Sequence, residues 1–261
     1  MSVLDDIVAG VREDLEVRRA RIPLPEIEAA ALTSTPPLDP MPHFRAPGLA
    51  VIAEVKRKSP SKGELATITD PASLAAQYAD GGAAGISVLT EQRRFNGTLE
   101  DLDAVRASVA VPVLRKDFMV EEYQFFEARA HGADMVLLIV ASLSDAELSR
   151  FHHLSTELGM TALVEAHTAE EVDRAMAIGA ELIGVNNRNL KTLQVDLATF
   201  GALASRIDDS AVKVAESGIF TPADASRVAS EGADVILVGE ALVRHGDPRG
   251  AVAGLIGAVA P

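Results

Sequence analysis

Four short stretches of the chain read alike: Gly82-Ala83-Ala84-Gly85-Ile86, Gly132-Ala133-Asp134-Met135-Val136, Gly179-Ala180-Glu181-Leu182-Ile183 and Gly232-Ala233-Asp234-Val235-Ile236. Their leading glycines stand 50, 47 and 53 residues apart. Each closes an alanine-rich, helix-like segment and opens a short apolar run. A glycine in that place can enter the left-handed region that ends a helix, and the run after it suits a strand buried on both faces. Four further apolar runs, at 50–56, 111–116, 161–165 and 212–216, alternate with these and bring the predicted strands to eight.

Helical segments are predicted in the gaps, at 70–80, 99–108, 121–131, 144–158, 168–178, 196–205, 221–230 and 247–259. Asp70-Pro71, Ser144, Thr221-Pro222 and Asp247-Pro248 supply N-cap signals, with proline in the first turn at three of them. Eight strand–helix units at roughly 26-residue spacing predict a single (β/α)8 TIM barrel, class α/β, over residues 48–261. An open doubly wound sheet is the alternative, but a near-fourfold repeat fits a closed barrel better. Residues 1–47 fall outside the repeat and are expected to form an N-terminal helical extension. Leu4, Ile7, Val8, Val11 and Leu15 share one face of its first helix, a second short helix covers 25–32, and a proline-rich connector covers 36–47. The pattern favours a cap on the barrel's bottom or flank over a part in the substrate entrance.

Composition bounds the function. Of the 261 residues, 48% are apolar and 24% charged, which excludes a disordered, collagenous or coiled-coil chain. Cysteine is absent, so disulfides, cysteine-ligated metals and thiol nucleophiles are excluded. The longest apolar run without glycine, 135–141, is far short of the ~20 residues that cross a bilayer. Asp5, Asp6, Arg12, Glu13 and Asp14 are foreign to a secretory leader, so a cytoplasmic location is expected. With 24 basic against 38 acidic side chains the net charge is −14, which argues against nucleic acid and anionic membranes as partners. A small anionic ligand would need a locally positive pocket. The six histidines form no metal constellation, and the composition leaves the oligomeric state open.

Charge appears where strands should be apolar. Barrel chemistry sits at the carboxyl ends of the strands, whose side chains alternate between interior and helix layer. On the first strand Glu54 and Lys56 share a face with Ile52, while Val51, Ala53 and Val55 suit the helix layer. By the same alternation Lys116 follows Leu114, Glu165 follows Leu163 and Glu216 follows Val214, and Asn186-Asn187 ends the sixth strand. Three inward glutamates and two inward lysines need one another or a ligand, because an isolated buried charge costs several kcal/mol. A mere salt-bridge plug would explain any one of them. Five converging on the catalytic end point to acid–base chemistry.

Two loops suggest a phosphate site. Ser217-Gly218 follows the seventh strand and Gly239-Glu240 the eighth, where barrels commonly hold phosphate on backbone N–H groups. Glu240 suits such a site only if its side chain turns away. The segment Arg57-Lys58-Ser59-Pro60-Ser61-Lys62-Gly63 reads as a mobile basic lid over an anionic substrate.

Seven ordered motifs resemble the indole-3-glycerol phosphate synthase family. Ile52-Ala53-Glu54-Val55-Lys56-Arg57-Lys58-Ser59-Pro60-Ser61 is similar to its first-strand signature, followed by Leu89-Thr90-Glu91 with Phe95-Asn96-Gly97, and Arg115-Lys116-Asp117-Phe118. Leu163-Val164-Glu165, Gly184-Val185-Asn186-Asn187-Arg188-Asn189-Leu190, Ala215-Glu216-Ser217-Gly218 and Val238-Gly239-Glu240 complete the set. The resemblance implies cyclisation of 1-(2-carboxyphenylamino)-1-deoxyribulose 5-phosphate to indole-3-glycerol phosphate, with loss of carbon dioxide and water and without a metal or organic cofactor. It implies that Lys116 protonates the ribulose carbonyl oxygen, and that Lys56 holds the anthranilate carboxylate and serves as an acid in the later dehydration. Glu54 and Glu165 would be bases or electrostatic stabilisers, and Asn186 and Glu216 would orient the substrate. Arg188 would support the anthranilate end, Phe95 and Phe118 would wall the ring, and Ser59 would touch the substrate from the lid. Ser217, counted with the catalytic set, would join Gly218, Gly239 and Glu240 around the phosphate. Glu240 stands where some relatives carry serine, which leaves a backbone contact and removes a hydroxyl.

Three rivals are distinguishable. Phosphoribosylanthranilate isomerase needs a catalytic cysteine that this chain lacks. A Schiff-base aldolase would also use a strand-end lysine. A non-catalytic phosphate-binding barrel would not require the intact set Glu54, Lys56, Lys116 and Glu165.

Overall fold

Eight parallel strands close into one barrel: β1 (Ala50–Val55), β2 (Gly85–Leu89), β3 (Val113–Lys116), β4 (Met135–Ile139), β5 (Thr161–Ala166), β6 (Leu182–Asn186), β7 (Val212–Glu216) and β8 (Val235–Val238). Each pairs with its neighbours in sequence, and β8 returns to β1 through Ala50↔Val235 to Ala53↔Val238. The computed structural model describes residues 3–59, 63–64, 68–189, 192–244 and 246–259. The strands are rich in Val, Ile and Leu because both faces are covered, by the barrel interior on one side and the helix layer on the other.

The four repeat glycines end the helices as their spacing predicts. Gly82, Gly132, Gly179 and Gly232 have φ of +96°, +76°, +74° and +101°. The aspartates in two of the repeats do a second job at the bottom of the barrel. Asp134 accepts the N–H of Val113 at 2.7 Å, and Asp234 that of Lys213 at 2.8 Å, so each satisfies a donor at the start of the preceding strand.

The outer helices start at the expected caps. Asp70 accepts the Ser73 N–H at 2.9 Å, and Ser144 with Glu147 and Thr221 with Asp224 form reciprocal capping boxes. The helices at Tyr123–Ala130, Asp145–Glu157, Ala169–Ala177 and Ala198–Ala204 are shorter than predicted because the flanking residues cap or turn. The third strand begins at Val113 and not at residue 111, since Pro112 has no N–H for the ladder.

The extension reaches both ends of the barrel. Its first helix, α1 (Val3–Arg21), buries Ile7, Val11 and Leu15. The second, α2 (Leu24–Thr33), packs on the helix Tyr123–Ala130, where Leu15, Ile27 and Tyr123 form a small separate core. The connector then descends: the Leu38 N–H is bound by Asp134 at 2.7 Å, and α3 (Met41–Phe44) sets Phe44 against Gly85 at the start of β2. Phe44 is fully buried and closes the bottom. The expectation of a cap on bottom or flank therefore covers only half of this segment. The first turns of α1 lie over the opposite end, where Val3, Leu4 and Ile7 face the cavity at the strands' carboxyl ends.

Candidate active site

Strand register stacks the charges into one layer. Glu54 of β1 stands opposite Ser87, and Ser87 opposite Leu114, so Lys116 on β3 lies two residues further along. From Lys116 the ladder through β4 arrives at Leu163, with Glu165 two residues on. From Glu165 it passes Gly184 to Val214, with Glu216 two residues on; from Glu216 it passes Leu237 to Ile52, two short of Glu54. Four steps of two residues close the ring, the shear of 8 that a barrel of this kind requires. Because strands tilt, residues staggered in this way share one level. Glu54, Lys116, Glu165 and Glu216 are thus one layer, contributed by alternate strands.

Within it Lys116 Nζ contacts Glu216 Oε2 and lies 3.3 Å from Glu165 Oε2. Lys56, just past the end of β1, contacts Glu54. Asn186 Nδ2 donates to Glu165 Oε1 at 3.1 Å. Burial alone would lower the pKa of Lys116, but Glu216, Glu165 and Glu54 outweigh it and hold it above the usual lysine value. The two carboxylates beside it diverge. Burial would raise Glu165, yet Lys116, His167 and Asn186 together hold it below the usual carboxylate range. Glu216 has only Lys116 to oppose its burial and the Glu165 charge, so it is pushed up. The layer can hold a proton on lysine beside one ionised and one proton-prone carboxyl group, as general acid–base chemistry needs.

His167 was missed in the sequence. Its Nε2 is 3.3 Å from Glu165 Oε1 and its Nδ1 3.2 Å from Glu171 Oε2, and the two carboxylates outweigh burial to raise its pKa to about 10. The signal was the spacing Glu165-Ala166-His167: β5 runs on through Ala166, one residue beyond the predicted end, so His167 continues the inward face.

All fourteen residues singled out from the sequence line one cavity at the carboxyl ends: Glu54, Lys56, Ser59, Phe95, Lys116, Phe118, Glu165, Asn186, Arg188, Glu216, Ser217, Gly218, Gly239 and Glu240. Phe95 and Phe118 form a tilted pair with ring centroids 6.2 Å apart. Phe95 rides on a built turn. The Glu91 carboxylate accepts the N–H groups of Arg93, Arg94 and Phe95 at 2.7–3.0 Å, and Gly97 passes so close to the Leu89 carbonyl that no Cβ would fit. Arg188 Nη1 donates to the Leu193 carbonyl at 3.0 Å, which ties it across its own loop.

At the other end of the cavity Ser217 and Gly218 both have positive φ, +64° and +82°. Among the described residues, no acceptor of the protein takes the N–H of Gly218 or Gly239. The Glu240 carboxylate is engaged by Arg244, which stacks over Phe220 at 4.8 Å.

The basic-lid reading needs correction at Arg57. Arg57 is an anchor and not a lid cation: it clamps Asp101 with both terminal nitrogens and donates to the Ile68 carbonyl at 3.0 Å. Lys58–Ser59 and Gly63–Glu64 pair as two short antiparallel strands, and residues 60–62 lie outside the described residues, as does Leu190.

Solved structures show the fold. A thiamine phosphate pyrophosphorylase from Pyrococcus furiosus superposes with a TM-score of 0.60 at 18% identity, covering 81% of this chain and 94% of its own. A 3-hexulose-6-phosphate synthase does so with 0.62 at 18% identity, covering 82% and 100%. Sequence relatives are much nearer. An indole-3-glycerol phosphate synthase of Nocardioides sp. is 63% identical over 257 residues, 98% of this chain and 99% of the relative. That of Paenarthrobacter aurescens is 60% identical, over 95% and 93%. The family description that matches residues 4–255 has the same name, and the chain belongs to the indole-3-glycerol phosphate synthase family.

Proposed function

We propose that the carboxyl-end cavity binds 1-(2-carboxyphenylamino)-1-deoxyribulose 5-phosphate with its phosphate on the β7 and β8 loops and its aromatic ring against the wall that Phe95 and Phe118 form together. The chain is a carboxy-lyase of tryptophan biosynthesis, forming indole-3-glycerol phosphate. In this reading the barrel, 48–261, carries the chemistry, and the extension, 1–47, shapes its entrance.

The observation that carries the assignment of roles is Lys116 at the cavity floor between two carboxylates. Held protonated there, it donates to the ribulose carbonyl oxygen and makes that carbon electrophilic toward the ring. Lys56 binds the anthranilate carboxylate with Arg188 at that end, and Ser59 closes on the substrate beside it. Glu165 and Glu54 stabilise the cationic intermediate and accept its proton, while Asn186 and Glu216 orient the substrate and the lysine. Gly218 and Gly239 give backbone N–H groups to the phosphate, with Ser217 and the Glu240 backbone beside them. The Arg244 contact occupies the Glu240 carboxylate, as phosphate binding requires.

A Schiff-base mechanism needs a neutral amine, and the carboxylates around Lys116 speak against one. Borohydride trapping with substrate would reveal it. Incubation with the carboxyphenylamino-deoxyribulose phosphate, followed by indole fluorescence, tests the whole reading, and the absence of tryptophan keeps the background low. Among the described residues no helix is long and apolar enough to cross a membrane, and we place the enzyme in the cytoplasm.

A further inference from the structure

Asn187 follows the inward-facing Asn186 and turns the other way. It is 2% exposed and is not part of the cavity wall. Every type of polar group it has is used. Its N–H donates to the Glu216 carbonyl at 2.9 Å, and its carbonyl accepts from Asp196 at 3.0 Å. Its Oδ1 accepts the Phe200 N–H at 2.9 Å, and its Nδ2 donates to the Ser217 carbonyl at 3.1 Å. These last two contacts fix the orientation of the amide, since a flipped side chain would oppose donor to donor and acceptor to acceptor.

The Ser217 carbonyl and the Gly218 N–H belong to one trans peptide, so they point in opposite directions. A carbonyl turned outward to Asn187 sends the N–H to the other side, where Gly218 lines the cavity. Ser217 itself stands at φ +64°, a conformation uncommon outside glycine. Hydrogen bonding at the carbonyl polarises the same peptide and makes its N–H a better donor. We infer that Asn187 is a positioning residue for phosphate recognition, aiming the Gly218 N–H by pinning the opposite end of its peptide. The inference rests on the assignment of phosphate to the β7 and β8 loops.

The test is steady-state kinetics with competition by inorganic phosphate, on the unmodified protein, Asn187→Ala and Asn187→Asp. Asn187→Ala removes donor and acceptor. Asn187→Asp keeps the acceptor for Phe200 and adds a charge. Both variants are expected to raise KM and the inhibition constant of phosphate by the same factor, about 10-fold, as for one misdirected bond to a charged group. The kcat should stay within about threefold.

Equal losses in kcat and KM with an unchanged phosphate constant would mean a merely structural role and overturn the inference. A rise confined to Asn187→Asp would assign the effect to the added charge and overturn it as well. Should Asn187→Ala not fold, Asn187→Ser replaces it, being neutral and too short to span both partners. If phosphate fails to compete in the unmodified protein, the phosphate assignment itself falls. If it competes there and Asn187→Ala changes nothing, only the role of Asn187 is lost.

Discussion

Gly184 on β6 and Glu216 on β7 share the space of one side chain: a Cβ built on Gly184 would stand 2.2 Å from Glu216 Oε1 and 3.2 Å from a methyl of Leu163. The missing Cβ lets the Glu216 carboxylate lie across β6 and contact Lys116. Gly184→Ala should therefore displace Glu216 while deleting no catalytic group. A shift of about 1 Å in such a group can cost on the order of 100-fold in rate. The expected outcome is a fall in kcat of that order together with a lowered Tm, since overpacking a buried site costs about 1–3 kcal/mol, measured by single-turnover kinetics and thermal denaturation. A normal kcat would mean that Lys116 does not depend on Glu216.

His167 ties pH to stability. Its pKa is about 10 in the folded chain against an ordinary 6.5, burial being outweighed by Glu165 and Glu171. A raised cationic pKa contributes stability in full below the unfolded value and loses it as pH climbs through the folded one. His167→Asn should therefore lower Tm most near pH 6, with the deficit shrinking toward pH ~10. Without the imidazolium Glu165 loses one of the groups that keep it ionised, so the acidic limb of the kcat profile should move to higher pH. A Tm deficit independent of pH would show that the ring acts by packing alone.

The barrel and the charged layer were legible in the sequence because each rests on a local rule. Glycines such as Gly132 mark a backbone conformation few other residues adopt, and each odd strand shows a charge two residues beyond an inward apolar side chain. What was hidden depends on distant partners. The apolar stripe of α1 reads the same whether it covers helices or overhangs the cavity with Val3, Leu4 and Ile7. Arg57 looks like a free cation until the fold brings Asp101 to it, 44 residues away. Glu91 shows no sign in sequence that it caps the turn carrying Phe95.

The two phosphate-loop glycines should behave differently. A Cβ on Gly239 would meet Glu54, 2.9 Å from Oε1 and 3.1 Å from its Cβ, so Gly239→Val disturbs the charged layer as well as the loop. A Cβ on Gly218, at φ +82°, would meet Val195 at 2.6 Å and Leu197 at 3.3 Å, both away from the layer. Gly218→Ala is thus the cleaner probe. It should raise KM about tenfold, because the clash displaces the N–H that donates to the charged phosphate, with kcat nearly unchanged. Gly239→Val should impair both constants of catalysis, raising KM and lowering kcat. Steady-state kinetics of the pair checks the division, and an unaltered KM in both would remove phosphate from these loops.

Lys116→Met separates the two lysines. Methionine keeps the length and removes both the charge and the proton, and a lost general acid typically costs ~10²–10⁴-fold in rate. Substrate should still bind through its phosphate and carboxylate, so equilibrium affinity changes little while single-turnover ring closure is nearly abolished. The substitution also strands Glu165 and Glu216, both buried, without their shared cation. Breaking a buried pair in this way costs about 3–5 kcal/mol unless the carboxyls take up a proton. The variant should accordingly be least stable at alkaline pH and recover toward acid. Lys56→Met, by contrast, should weaken binding along with rate, since Lys56 is assigned to the substrate carboxylate and contacts only Glu54 among the layer's carboxylates. Near-normal ring closure in Lys116→Met would pass the acid role to Lys56 or to water.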